Sequence, residues 1–172
     1  MKKNYFILIV VAITTTILLS IAAFNSFQQL IKLLVNGREL RTQREQMISL
    51  LSELKDAETG QRGFLITGRE NYLQPYYTAL QTIDDSLHAL TRRLASSIKR
   101  KALLEDLSRL IKFKLTELQD VIQTRRAEGF EAAQRKVETN EGKEYMDSIR
   151  GVMEQLIDHQ TQLVEENVQN VE

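Results

Sequence analysis

Residues 56–67 read DAETGQRGFLIT, and how this stretch is assigned decides the fold. It follows Met47, Leu51 and Leu54, and the same alternating steps of four and three continue through Glu58 and Gln61 to Leu65. That spacing marks one face of an α-helix, and no strand alternation interrupts it. The stretch is therefore predicted to end a long amphipathic helix. A carboxylate and an amide then fall on the seam where apolar residues are expected. Gly68, directly after Thr67, reads as the left-handed residue that stops the helix.

Toward the N-terminus, Leu33 and Leu40 extend the same row, with no proline to break it. Helix one is predicted to emerge unbroken from the apolar segment before it, with Asn36-Gly37 its weakest point. That segment, YFILIVVAITTTILLSIAAF (residues 5–24), contains no charged residue. At about 1.5 Å per residue it spans roughly 30 Å, the thickness of a bilayer's hydrocarbon core. It reads as a transmembrane helix, and its contact is with membrane lipid. The hydroxyls of Thr14, Thr15 and Thr16 can return to the helix's own carbonyls. The rival reading is a cleaved signal peptide with Ser20-Ile21-Ala22 as its site, but the apolar run exceeds the roughly 7–15 residues of a signal core. Lys2 and Lys3 favour a cytoplasmic N-terminus for residues 1–4, whereas Lys32, Arg38, Arg41 and Arg44 weigh against it from the other end. Charge alone leaves the orientation open.

Toward the C-terminus the helical period persists. Helix two is predicted to begin around NYLQPYY, with Asn71 as its cap and Pro75 in the first turn, where a missing donor costs nothing. Its seam is Tyr76, Leu80, Ile83, Leu87, Leu90 and Leu94. After a break near 96–101, helix three carries Leu104, Leu107, Ile111, Leu115, Leu118 and Ile122. It ends at Gly129, with Arg125 and Arg126 complementing the last turn. A short piece over 130–137 precedes helix four, which starts near Thr139-Asn140 with Glu141 and Glu144 at its positive end. Helix four buries Met146, Ile149, Met153, Leu156, Leu163 and Val171. Long amphipathic helices with narrow stripes and short connections predict an all-α fold: a transmembrane helix followed by an antiparallel four-helix bundle, with rods of roughly 40–50 Å.

Composition narrows the function. The chain has 172 residues and zero formal net charge, and without Lys2 and Lys3 its 21 basic and 23 acidic residues sum to −2. That is no electrostatic footprint for nucleic acid. With no cysteine, disulfides, thiol catalysis and thiolate metal sites are excluded. No nucleophile with a base, no metal-ligand spacing and no phosphate loop is present, so neither a catalytic residue, a metal nor a cofactor is expected.

The segment DAETGQRGFLITGRENYLQPY, residues 56–76, closely resembles the signature of the type-three CHASE domain, a sensor of cyclases and histidine kinases. RRAEGFEAAQRKVETNEGKEYMDSIR, residues 125–150, is similar to that family's second recurring segment. The resemblance covers residues 27–172. It implies a periplasmic or extracellular helical sensor, anchored in the bacterial plasma membrane and paired as a homodimer. It further implies a second membrane helix and a cytoplasmic output domain; neither lies within residues 1–172, so the chain is expected to be part of a longer receptor. The stimulus, a small molecule or a protein, is left unnamed. A membrane-tethered helical scaffold that binds partner proteins without a ligand is the alternative.

Within the motif, Glu58 and Arg62 are four apart in the favourable order on a helix, and Asp56 and Thr59 form a neighbouring ridge. Gly60 and Gly63 each cost about 0.8–1 kcal/mol in a helix interior, which calls for close approach of another helix or of a ligand. Two readings follow for Glu58, Gln61 and Arg62. They form either a buried polar layer that fixes helix register or a binding and switching element. Tyr72, Tyr76 and Tyr77 are expected to plug one end of the bundle, and they are also candidates for lining a pocket.

Overall fold

The structure of the chain, a computed structural model, describes residues 2–95 and 97–169, with side-chain environments for residues 6–95 and 97–159. Five α-helices and one 3-10 turn follow one another: α1 (Lys2–Thr67), the 3-10 turn (Glu70–Leu73), α2 (Gln74–Leu94), α3 (Ile98–Glu128), α4 (Phe130–Glu138) and α5 (Glu141–Gln169). The all-α reading holds. The chain divides into two compact units, residues 1–41 and 42–172.

The first unit is helical throughout its described residues. Its apolar side chains are exposed from Phe6 to Val35. Thr14 and Thr15 donate to the Val11 carbonyl at 2.9 and 3.0 Å, and Thr16 donates to Ala12 at 2.8 Å, so the hydroxyls are satisfied within the helix as the sequence requires. Among the described residues, one helix is long and apolar enough to cross a membrane. α1 passes through Asn36-Gly37 without interruption.

In the second unit, α1, α2, α3 and α5 close around one core cluster. The connections are short, so consecutive rods run antiparallel. Gly68 takes a φ of +67° and its N–H donates to the Phe64 carbonyl at 2.8 Å, which ends α1 where expected. α3 stops at Gly129, whose φ of +92° turns the chain into α4. Asn140, at φ +64°, sets the start of α5 at Glu141. Asn tolerates that left-handed geometry better than most residues. The short α4 buries Ala133 in a second cluster with Leu65 and Val121, which seals that end of the bundle.

Several sequence expectations need correction. The seam of α1 runs through Met47, Leu50, Leu54, Ala57, Gln61 and Phe64, so Leu51 and Glu58 lie on its flank. Both rows share Met47, Leu54 and Gln61. At the alternate positions the small Ala57 and Gly60 let neighbouring helices close in, which rotates the buried face toward them. In α2, Ala79 is buried and Leu80 is 37% exposed, and in α3 Lys114 is buried where Leu115 is only partly so. Asn71 does not cap α2. The 3-10 turn absorbs it, and α2 starts at Gln74 with Pro75 in the first turn and no side-chain cap. α3 begins at Ile98, where Ser97 accepts from the Arg100 N–H at 3.3 Å. The side chains of Leu163 and Val171 lie outside the described residues.

Candidate functional site

The end of α1 is built by three glycines and two arginines. A β-carbon on Gly60 would come 2.9 Å from the Tyr76 nitrogen and 3.1 Å from the Tyr72 carbonyl oxygen. One on Gly63 would meet the Tyr72 ring at 2.7 Å. The motif glycines are therefore the surface on which the 3-10 turn and the start of α2 rest. Past Gly68, Arg125 of α3 donates its Nε to the Leu65 carbonyl at 2.8 Å, satisfying one of the acceptors that a helix C-terminus leaves open. Arg126 grips Glu70 with two bonds of 2.8 and 2.7 Å, donates to the Tyr77 hydroxyl at 2.9 Å and stacks over Phe64. The Arg126 bond holds the Glu70 carboxyl below its ordinary range, and the same bond keeps Arg126 firmly charged. The two recurring segments of the sequence thus meet at this end: 56–76 supplies the helix terminus and turn, and 125–150 supplies the arginines.

The tyrosines part company here. Tyr76 is buried, and burial pushes its hydroxyl pKa up. Tyr72 and Tyr77 are both exposed. Tyr76 borders a groove of about 270 Å³ lined by residues of α2 and α3.

One turn earlier lies a polar layer whose centre is not in the motif. Lys114 of α3 is 2% exposed, and its ammonium donates to Glu117 at 2.9 Å while Glu58 stands at 3.8 Å. Glu58 is itself bridged at 2.5 Å by Arg62, whose side chain is 59% exposed. Gln61 is buried at 2% exposure, and its amide Nε2 has no hydrogen-bond partner. α5 reaches the layer through Gly142, where a β-carbon would sit 2.6 Å from a Glu117 oxygen and 2.7 Å from the Lys114 nitrogen. These groups line a cleft of about 550 Å³, within the size range of small-molecule sites. On its rim, hydrogen bonding to Lys143 lowers the Asp147 pKa, and Arg150 adds a second bond at 2.7 Å.

Of the motif residues, Glu58, Thr59, Gln61 and Arg62 face this cleft, Gly60 and Gly63 face the α2 side, and Asp56 is exposed. Sequence reasoning missed Lys114, Glu117 and Gly142, and it gave Arg125 and Arg126 only a helix-end role. A signal for Lys114 exists: steps of three and four lead from Leu107 and Ile111 to 114 and 118. Choosing Leu115 for its apolarity hid it. Among the described residues, no group of acidic or histidine side chains is placed to hold a metal ion.

A family model described as CHASE3 domain matches residues 27–170. No curated protein matches the chain. Among solved structures, the crystal structure of the Rhodopseudomonas palustris histidine kinase HK9 sensor domain superposes with a TM-score of 0.65 at 22% identity. The alignment covers 76% of this chain and 98% of that one, a likeness of fold.

Proposed function

The chain belongs to the CHASE3 domain family, a family of receptor sensor domains, and from that premise we propose that it is the membrane-anchored, extracytoplasmic sensory part of a bacterial signalling receptor. It does no chemistry of its own. It passes a stimulus-dependent rearrangement of its bundle through the plasma membrane to an output domain. The observation that carries this reading is α1, a single helix from Lys2 to Thr67 that contains both the apolar segment and the Glu58–Gln61 motif. A stimulus that favours one packing of the polar layer can therefore act on the helix that enters the lipid. Displacements of about 1–2 Å between packed helices are typical of such switches. Driving the equilibrium nearly to completion takes roughly 5.5 kcal/mol of differential binding.

The receptor works as a homodimer in this reading. Phe27, Leu30, Ile31 and Leu34 follow a helical i, i+3, i+4, i+7 pattern and are all exposed, which suits a second copy beside the first.

Two measurements test the proposal. Cysteines placed at the exposed Lys99 and Lys101 should react with a membrane-impermeant thiol reagent added outside spheroplasts. Labelling only from the cytoplasmic side refutes the orientation. In the intact receptor, Glu58→Leu combined with Gln61→Leu should leave the bundle folded and shift the resting output. Unchanged output would turn the polar layer into a passive register device and favour the tethered scaffold instead.

A further inference from the structure

Resting on the sensory reading, we propose that the cleft centred on Lys114 is the stimulus site and that it takes a small organic anion bound through a carboxylate. Donors converge there in excess of their acceptors. The Lys114 ammonium pairs with two carboxylates, but its hydrogen bond in the described structure is to Glu117 alone; Glu58, an ion-pair partner at 3.8 Å, is beyond hydrogen-bond reach, so of three N–H donors one is used. A lysine that is 2% exposed with donors left over is costly unless an acceptor completes it.

The second donor is independent of the first. The Gln61 amide is buried and lines the same cleft, and its Nε2 finds no partner. An unpaired buried amide costs about 1–3 kcal/mol, and burying it only to fix register would call for a partner. A third donor set comes from α5. Its first turn begins at Glu141; Thr139 caps the Glu141 N–H and the Asn140 carbonyl takes that of Glu144, which leaves the N–H groups of Gly142 and Lys143 to offer. Gly142 brings this turn against the Lys114–Glu117 pair, where any β-carbon would occupy the space.

Charge and shape together choose among anions. The cleft is lined by five basic residues (Lys55, Arg62, Lys114, Lys143 and Arg150) and three acidic ones (Glu58, Glu117 and Asp147), which is 5 − 3 = +2. One or two carboxylates balance this lining. Phosphate balances the same charge, so the distinction is one of shape: its third and fourth oxygens would have to face Glu58 and Glu117 beside the ammonium. A carboxylate presents two acceptor oxygens in one plane, enough for an ammonium and an amide at once. Binding would draw Lys114 away from Glu117 and pin Gln61, so that α1 and α5 are fixed against α3 in the liganded packing.

The experiment is titration calorimetry on the whole chain in lipid nanodiscs, with acetate, succinate and inorganic phosphate as separate probes. Saturable binding of succinate, tighter than acetate and absent with phosphate, is the expected result. Gln61→Leu should weaken it by about tenfold, or 1.4 kcal/mol, in a protein with unchanged circular dichroism. Gly142→Ala, which fills the approach, should weaken it further. Lys114→Met should abolish binding, but it risks the fold, so Gln61→Leu carries the test. No saturable heat with either carboxylate, or equal affinity in Gln61→Leu, overturns the site; preference for phosphate overturns the ligand class. The two proposals separate cleanly in the intact receptor. If the leucine variants shift output while no carboxylate binds, the sensory reading survives and the site assignment fails. If succinate binds and output never responds, the site survives and the sensory reading fails.

Discussion

A series of glycine-to-alanine substitutions tests the packing that positions the site. In a helix interior each exchange should stabilise by about 0.8–1 kcal/mol, because alanine loses less backbone entropy on folding. What differs among the positions is the space for the new methyl group. At Gly151 of α5 nothing lies within 4 Å, so Gly151→Ala should show the full gain. At Gly60 the methyl meets the Tyr76 nitrogen at 2.9 Å and the Tyr72 oxygen at 3.1 Å, both backbone atoms. Ordinary contact needs about 3.5 Å or more, so the first turn of α2 must retreat by roughly half an ångström. Forced overpacking of this kind costs about 1–3 kcal/mol. Gly60→Ala should therefore be less stable than Gly151→Ala by about that amount. At Gly63 the obstacle is the Tyr72 ring, 44% exposed and able to swing aside, so Gly63→Ala should fall between them. Thermal unfolding followed by circular dichroism, in one detergent for all variants, reads the series. For a chain of this size 1 kcal/mol moves Tm by about 2–4 °C. If Gly60→Ala matches Gly151→Ala, then α2 does not rest on α1 at the motif, and the account of its glycines is wrong.

Other perturbations probe separate contacts. Gly68→Ala places a β-carbon at a φ of +67° and against Arg125, and should cost about 1 kcal/mol or more in urea denaturation, whereas Arg125→Met should cost less. Lys114→Met strands Glu117, while Glu58 keeps its bridge to Arg62, and should destabilise by about 3 kcal/mol. Adding Glu117→Leu should restore most of it, and failure of that rescue in denaturation would show that the lysine holds the bundle by more than its charge. The folded-state pKa of Glu70 lies below its ordinary value of 4.5, so its contribution is present above that value and is lost as pH falls through the lower, folded one. Arg126→Gln should accordingly reduce stability at pH 7 and leave little difference at strongly acid pH. A deficit independent of pH would mean that Arg126 acts through Phe64 and Tyr77 and not through Glu70.

The helices, their ends and the apolar N-terminal segment were legible in the sequence because they depend on local causes. Periodicity assigned α1, α2, α3 and α5 closely but left α4 as a short unassigned piece; Gly68 and Gly129 mark ends, and Asn140 a start, where the backbone takes a positive φ. The motif was also legible as unusual, since two glycines inside one helix conflict with helix propensity and two polar residues at seam spacing conflict with an apolar core. Its partners were not. Lys114 stands in a row of leucines and isoleucines, and a rule that seeks apolar residues steps past it to Leu115. Arg125 and Arg126 look like ordinary charges in a last helical turn, yet their partners are about 60 residues away in sequence, at the Leu65 carbonyl and at Glu70.

What the chain's own order of residues determines is therefore the set of rods, roughly where each begins and ends, and which end of α1 is apolar and long enough to cross a membrane. Only the tertiary structure decides the rotation of each rod about its axis. A helix with apolar residues three and four apart offers two nearly equivalent seams, 47–51–54–58 or 47–50–54–57, and the sequence weighs them almost equally. Packing separates them, because Ala57 and Gly60 admit close neighbours and Glu58 does not. That rotation of α1 turns Glu58 toward Lys114, leaves the Gln61 amide buried beside it, and places the cleft at the meeting of α1, α3 and α5.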